Sequence, residues 1–357
     1  MIQPAQTFDI SAYLLDRSDL FPRPTDTTQL VLNRLPEYEF THPELKDPSI
    51  VDQGNGTYGM YASIGSSVTQ TWLVGRFIAT HPNGPWTELS PVQFDNLHGP
   101  QLCAPAVIYD ERKGQRTWTM YVQTACFEEN SIIAKAISFD GKTFHGRKKA
   151  LITRDMVLNE KHHVVGVYDA GISEVDINGE PYLCMLYSGY RKVGCGDLYM
   201  TLRKKNDVED SWSTAKCVLA QEDVPFHNNP EYEHFEWGLE GAKVIQLANN
   251  CFMMIGVCFM PKPNALGTRQ RVFYAVSDKV DGTYIPVGIP IEPQPNVHST
   301  GETGHPDTII QGNDMWLIYQ ERTGDGAPWH LRSAKYMISE LTHVMRGRLE
   351  QLSSSMK

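Results

Sequence analysis

The chain has 357 residues, a formal net charge of −10, 41% hydrophobic and 21% charged residues, 28 glycines and 22 prolines. That balance suits a turn-rich all-β protein and excludes a disordered one. A phosphate-binding surface needs a basic stripe; the only short basic clusters are Arg147-Lys148-Lys149 and Arg203-Lys204-Lys205, so no nucleic-acid partner is expected.

Taken in chain order, Met1-Ile2-Gln3-Pro4-Ala5-Gln6 has neither a positive segment nor an apolar segment of the secretory kind, so a cytoplasmic protein is expected. Residues 1–41 read as an extension whose one strand-like run, Gln29 to Asn33, is expected to supply the missing outer strand of the fifth and last of the repeats that follow it, and so to close a ring. Five similar segments follow: Asp47-Pro48-Ser49-Ile50-Val51-Asp52, Ala104-Pro105-Ala106-Val107-Ile108, Asp169-Ala170-Gly171-Ile172-Ser173-Glu174, Glu240-Gly241-Ala242-Lys243-Val244 and His305-Pro306-Asp307-Thr308-Ile309. Their spacings of 57, 65, 71 and 65 residues are those of a repeat.

Each segment is followed by an alternating aromatic or β-branched run: Tyr58 to Tyr61, Trp118 to Tyr121, Tyr182 to Tyr187, Phe252 to Ile255 and Trp316 to Tyr319. The connections carry Asn55-Gly56, Lys113-Gly114, Asn178-Gly179, Asn249-Asn250 and Gly312-Asn313, residues for which a positive φ costs little, so each pair reads as a hairpin. Third strands are expected at 72–80, 132–138, 198–202, 272–277 and 330–335, and outer strands after the Gly- or Asp-bearing turns at 84–86, 141–144, 210–212 and 282–284. Four short antiparallel strands repeated five times describe a five-bladed β-propeller, with a β-sandwich as the alternative. The blades span about 42–336 of a single domain covering 1–357. Apolar residues at Ile338, Leu341, Met345, Leu349 and Leu352 then predict an amphipathic helix over 337–352, packed on its own domain.

The longest mostly apolar run, Cys251 to Met260, is ten residues and too short for a bilayer span, so no membrane partner is expected. Seven cysteines without a CxxC pair, several inside predicted strands (Cys184, Cys251, Cys258), fit free thiols in a reducing compartment.

In a propeller the first strand of each blade lines the central channel, so equivalent residues converge although far apart in sequence. The first position of the repeat reads Asp47, Ala104, Asp169, Glu240, His305. Carboxyls brought together repel as anions, and with desolvation this keeps one protonated while another stays ionised. Glycoside hydrolysis needs that division, one group to protonate the leaving oxygen and another to activate water.

Lys46-Asp47-Pro48-Ser49, Tyr168-Asp169-Ala170-Gly171 and Leu239-Glu240-Gly241-Ala242-Lys243 resemble the three catalytic motifs of glycoside hydrolase family 43, in that family's order and in blades one, three and four. The turns at Gly84-Pro85-Trp86 and Gly282-Thr283-Tyr284 are similar as well. The resemblance implies an inverting glycosidase in which Asp47 is the general base, Asp169 tunes and orients the acid, and Glu240 is the general acid. It implies an oligosaccharide substrate, with arabinofuranose or β-xylose as the terminal sugar removed. It implies no required cofactor, and it puts His305 beneath the substrate, where a water or a structural calcium ion can sit. Asp47 also reads as a strand-entry turn before Pro48, and His305 as a buried structural histidine. The adjacent His162 and His163 point apart on a strand and make no transition-metal site.

Sugar binding also wants flat apolar walls and planar donors. Tyr168, Phe235 and Trp237 are placed by sequence to wall the pocket, Arg271 and Arg322 to hold hydroxyls or the acids, and Glu236 is the rival to Glu240. Two departures leave the sugar open: Asp169 lacks a following proline, and Lys46 stands where a small residue is usual. The Arg-Asp-Pro and Glu-Cys motifs of invertase-type propellers are absent. A propeller that binds a glycan or small molecule without cleaving it, or uses the acidic pocket for other chemistry, is the second reading; oligomeric state is not legible.

Overall fold

The computed structural model describes residues 24, 26–69, 71–97, 101–112, 114–124, 131–146, 152–157, 164–191, 196–207, 211–224, 238–261, 268–288, 291, 301–324 and 326–355. Its strands form five blades, each with four antiparallel strands. Blade 1 comprises Glu44–Asp52, Tyr58–Ser66, Thr71–Ala79 and Trp86–Leu89; blade 2, Cys103–Arg112, Gln115–Gln123, Ile133–Ser138 and Thr143–Gly146. Blade 3 comprises Val164–Ile177, Glu180–Arg191, Gly196–Lys204 and Lys216–Leu219; blade 4, Leu239–Ala248, Cys251–Pro261, Thr268–Ser277 and Ile285–Gly288. Blade 5 takes Glu302–Gln311, Asp314–Arg322 and His330–Met337 from the end of the repeats and Asp26–Gln29 from the beginning of the chain.

Alternation along the strands decides where the core lies. Of the second strand of blade 1, Met60, Ala62 and Ile64 face blade 5, while Tyr61 faces blade 2. In blade 3, Leu183, Met185 and Tyr187 turn toward blade 2, and Cys184 and Leu186 toward blade 4. A strand covered on both faces must be apolar at consecutive positions, which is why these runs read as unbroken hydrophobic stretches. One hydrophobic cluster fills each of the five blade interfaces.

The five inner strands share a bulge. Pairing with the second strand skips Asp47-Pro48, Ala104-Pro105, Asp169-Ala170, Gly241-Ala242 and His305-Pro306. The first residue of each bulge is left-handed, with φ of 50°, 47°, 50°, 54° and 41°. Such bulges re-aim side chains, and four of the five positions carry a side chain despite a strain of roughly 1–2 kcal/mol each. Bulge N–H groups are taken up by the preceding blade: Ser63 Oγ accepts from Ala104 at 2.8 Å, Gln123 Oε1 from Asp169 at 3.3 Å and Gln320 Oε1 from Asp47 at 2.9 Å. A second belt, one step further along, joins Ser49 to the Val107 N–H (2.9 Å) and Asp307 to the Ile50 N–H (2.8 Å).

Four expectations need correction. The outer strand of blade 5 is Asp26–Gln29, not Gln29 to Asn33: Leu30 leaves the strand to enter the core, 4% exposed, and Leu32–Asn33 pairs in parallel with Trp86–Leu89 of blade 1. A further parallel strand, Gln93–Asp95, likewise extends blade 2. The outer strand of blade 3 is Lys216–Leu219; Ser211 and Trp212 precede it outside any strand, the Trp212 ring being held edge-on to Tyr121 with Arg203 over its face. Cys103 is disulfide-bonded, whereas Cys184, Cys217, Cys251 and Cys258 are thiols outside any disulfide. The fourth, a one-residue slip in blade 4, concerns the site.

The terminal helix runs Ile338–Ser355 and buries Leu341 and Met345 in the blade 4–blade 5 cluster, on its own chain. Among the described residues no helix is long and apolar enough to cross a membrane.

Candidate active site

The bulges bring the predicted residues to one end of the channel. His305 lies between two carboxylates, its Nδ1 3.2 Å from Asp47 Oδ1 and its Nε2 3.0 Å from Glu240 Oε1. Asp169 completes the group: one ligand atom each of Asp169, Glu240 and His305 lie within 4.8 Å of one another. The side chains of Asp47, Glu240 and His305 are only 8–11% exposed.

Glu240 arrives differently from the other three. The bulge residue of blade 4 is Gly241, so Glu240 occupies the position of Lys46, Cys103, Tyr168 and Gly304, one residue before the bulge. The first position of the repeat therefore reads Asp, Ala, Asp, Gly, His. A β-carbon on Gly241 would lie 2.7 Å from His305 Nδ1. The missing side chain is what gives the imidazole its place.

Each oxygen of Glu240 is an acceptor. Tyr190 O–H donates to Oε2, and Gln270 Nε2 donates to Oε1 at 3.0 Å, beside His305. Tyr190 is itself half-buried, and its hydroxyl is pushed well above its ordinary range by loss of water and by the Glu240 anion, so it stays a donor. Tyr168 packs against the Tyr190 ring with centroids 4.5 Å apart and the planes tilted by 33°, so it supports Glu240 through Tyr190.

The charges divide as carboxyls at close quarters must. Burial alone would lower His305; Asp47, Asp169 and Glu240 outweigh it and raise the imidazole to about 9, so it is a cation donating from both nitrogens at neutral pH. Asp169 is raised to about 7, first by loss of water, with the Glu240 and Asp47 anions adding to the rise and His305 and Lys46 opposing it. One carboxyl of the cluster thus keeps its proton near neutrality.

The two arginines lie elsewhere. Arg271 is fully buried, and its Nη1 donates to the carbonyls of Gln270 (2.8 Å) and Gly301 (2.6 Å). Its neighbour Gln270 faces the acid instead. Arg322 pairs with Glu302 and lies over the Trp329 ring at 4.7 Å, and the other oxygen of Glu302 accepts from the Gln270 N–H at 2.9 Å. Phe235, Trp237, Glu236, His162 and His163 lie outside the described residues.

Sequence reasoning missed Tyr190, Gln270, Gln320 and Gln123. A trace was present: Ser63, Gln123, Ser188 and Gln320 all stand opposite the residue before a bulge, near the end of a blade's second strand.

The donor set does not suit calcium, which asks for roughly six to eight oxygen ligands. Among Asp169, Glu240 and His305 one donor is an imidazole, and both of its nitrogens are already engaged by carboxylates. A cavity of about 40 Å³ lies just inside the cluster, bordered by Asp47, Asp169, Gly241 and His305. A wider one of about 710 Å³ opens at the other end of the channel, around Asp52, Asp110, Glu174 and Gln246, away from the acids.

No family model matches the sequence, and no curated protein does. Solved structures share the fold. A GH62 hydrolase in complex with xylotriose superposes with a TM-score of 0.61 at 15% identity, covering 89% of this chain and 100% of that one. The catalytic domain of Coprinopsis cinerea GH62 alpha-L-arabinofuranosidase gives 0.59 at 13% identity (88% and 96% covered), and the GH43_1 enzyme from Xanthomonas citri 0.54 at 16% (82% and 87%). At such identities the likeness is one of fold, and chemistry has to be argued from the side chains.

Proposed function

We propose that this protein is a glycoside hydrolase that removes a terminal pentose, α-L-arabinofuranose or β-xylose, from oligosaccharides with inversion at the anomeric carbon. The observation that carries the reading is the meeting of Asp47, Asp169 and Glu240 around the imidazole of His305. The fold neighbours support it, since their named ligands and activities are xylotriose and arabinofuranoside cleavage.

In this reading Asp47 takes a proton from water while the water oxygen bonds to the anomeric carbon. Glu240 gives a proton to the glycosidic oxygen as the C–O bond breaks from the opposite face. A whole imidazole holds the two groups apart, with a contact of about 3 Å at each end. That arrangement favours the wider carboxyl gap of inverting enzymes, roughly 6.5–9.5 Å, over a retaining pair. Glu240 needs a proton before it can act as an acid. Asp169 carries one below about pH 7 and lies close enough to supply it.

The test is hydrolysis of aryl arabinofuranosides and xylosides, with the first-formed anomer followed by proton NMR. Asp47→Asn and Glu240→Gln should each lower kcat/KM by roughly 10²–10⁴-fold. Full turnover in both variants would discard the assignment. One observation favours a glycan-binding, non-cleaving propeller instead: His305 already fills the space between base and acid. Calorimetric sugar binding without product release would decide for it.

A further inference from the structure

Asp47 and Glu240 are joined a second time, by a route that avoids His305. The Asp47 N–H donates to Gln320 Oε1 at 2.9 Å, Gln320 Nε2 donates to Gln270 Oε1 at 3.1 Å, and Gln270 Nε2 donates to Glu240 Oε1 at 3.0 Å. Gln320 is fully buried and Gln270 9% exposed. The chain of bonds has one direction only. A backbone N–H cannot accept, so the Gln320 atom beside it must be oxygen, which turns its NH₂ toward Gln270 and in turn the Gln270 NH₂ toward the acid.

The surrounding fold makes room for this pair. Gly304, just before the blade 5 bulge, has no β-carbon where one would lie 2.3 Å from Gln270 Oε1 and 3.3 Å from Gln320 Nε2. The backbone of Gln270 is fixed by Glu302, which Arg322 holds in turn.

We propose that Gln270 and Gln320 are positioning residues: a one-way amide relay that transmits the place of the Asp47 backbone to Glu240 and keeps Glu240 Oε1 an acceptor until a proton arrives. The assignment of Asp47 and Glu240 as base and acid is the reading given above; the relay is a property of the site whether or not that reading holds. The other groups facing Glu240 are Tyr190 and Asp169 from blade 3 and His305 from blade 5, with Asp47 beyond the imidazole.

Gln320→Glu tests the direction of the relay without touching Glu240. One oxygen of the new carboxylate would still accept from the Asp47 N–H, and the other would demand the Gln270 NH₂. The Gln270 carbonyl would then face Glu240 Oε1, and two acceptors can share that contact only if Glu240 takes a proton. In protein labelled with [5-¹³C]glutamate, and with Glu240→Gln used for assignment, the Glu240 titration should move to higher pH by about one unit or more. Gln270→Met removes the middle link, so in that background Gln320→Glu should no longer move the titration by the same route.

An unmoved titration in folded Gln320→Glu protein overturns the relay. So does a shift that persists undiminished in the Gln270→Met background, since added charge alone would then account for it. If Gln320→Glu does not fold, Gly304→Ala blocks the amide pair without adding charge; it should move the titration in the same direction, and no movement overturns the relay. The readout needs no turnover, so an inactive wild-type protein sinks the hydrolase reading while leaving the relay decided on its own evidence.

Discussion

His305 holds two carboxylates with its two nitrogens and raises the question of what proton traffic does to stability. Its folded-state value, about 9, lies above its ordinary 6.5. The stabilisation from the imidazolium is therefore complete below pH 6.5 and is lost as pH rises through 9, on the order of 3 kcal/mol across that window. Thermal unfolding of the wild type should fall in midpoint between pH 6.5 and 9.5, and His305→Gln should show little of that fall. Asp169, raised from 3.8 to about 7, behaves alike at lower pH: its contribution is complete below 3.8 and lost as pH rises through 7. Asp169→Asn should thus unfold at a higher temperature than the wild type at pH 8, with the advantage shrinking toward pH 4. A variant more stable than its parent while less active is the usual mark of a group held against its own preference for function.

The same scale shows what the sequence could and could not yield. Asp47, Asp169 and His305 were legible because the repeat puts them at one structural position. Glu240 was found by its chemistry, yet the register given to it was wrong by one, and Arg271 was chosen where its neighbour Gln270 faces the acid. Both slips are of one residue, and along a strand adjacent side chains point to opposite faces; at Glu240 a bulge moves that alternation by one without leaving a mark in the local sequence, whereas the strand carrying Gln270 and Arg271 pairs without a break. Aligning carboxylate with carboxylate hid the glycine that makes room for the histidine.

Among the elements, the inner strands set the geometry through close approach. Gly171 of blade 3 lies so near blade 4 that a β-carbon would meet the Ala242 carbonyl oxygen at 2.0 Å. Neither partner is a movable side chain, so Gly171→Ala should cost at least about 1–3 kcal/mol in urea unfolding and displace the bulge next to Glu240. Gly179, in the hairpin loop of the same blade, has φ of 85° and open space around it. Gly179→Ala should cost only the conformational strain, about 1–2 kcal/mol, with no effect on the site. Hairpin turns and second strands were readable from Asn-Gly pairs and aromatic runs. The outer strands were not, because a four-residue edge strand such as Lys216–Leu219 carries too little pattern to fix its limits.

For the whole molecule, five interfaces share the burial, and the one between blades 5 and 1 depends on residues from both ends of the chain. Leu30, 4% exposed, packs there with Trp86, Ile309, Ile318 and Leu331. Leu30→Ala should destabilise the protein by about 2–5 kcal/mol, as much as an equivalent change inside a blade, although the residue lies beyond the end of its strand. The repeat predicted that a strand from the beginning of the chain would close the ring. It could not say which, since the run from Gln29 to Asn33 is divided between two blades.

That closure has a consequence for how the protein is made. Thr28 meets Ser333 across 305 residues, Oγ1 to Oγ at 3.2 Å. At ribosomal rates of roughly 5–20 residues per second the first strand waits on the order of 15–60 s for its partner to emerge. Toward the end of that interval four finished blades stand as an open arc with an unmatched sheet at either tip, the period in which a neighbouring nascent chain is best placed to pair in its stead.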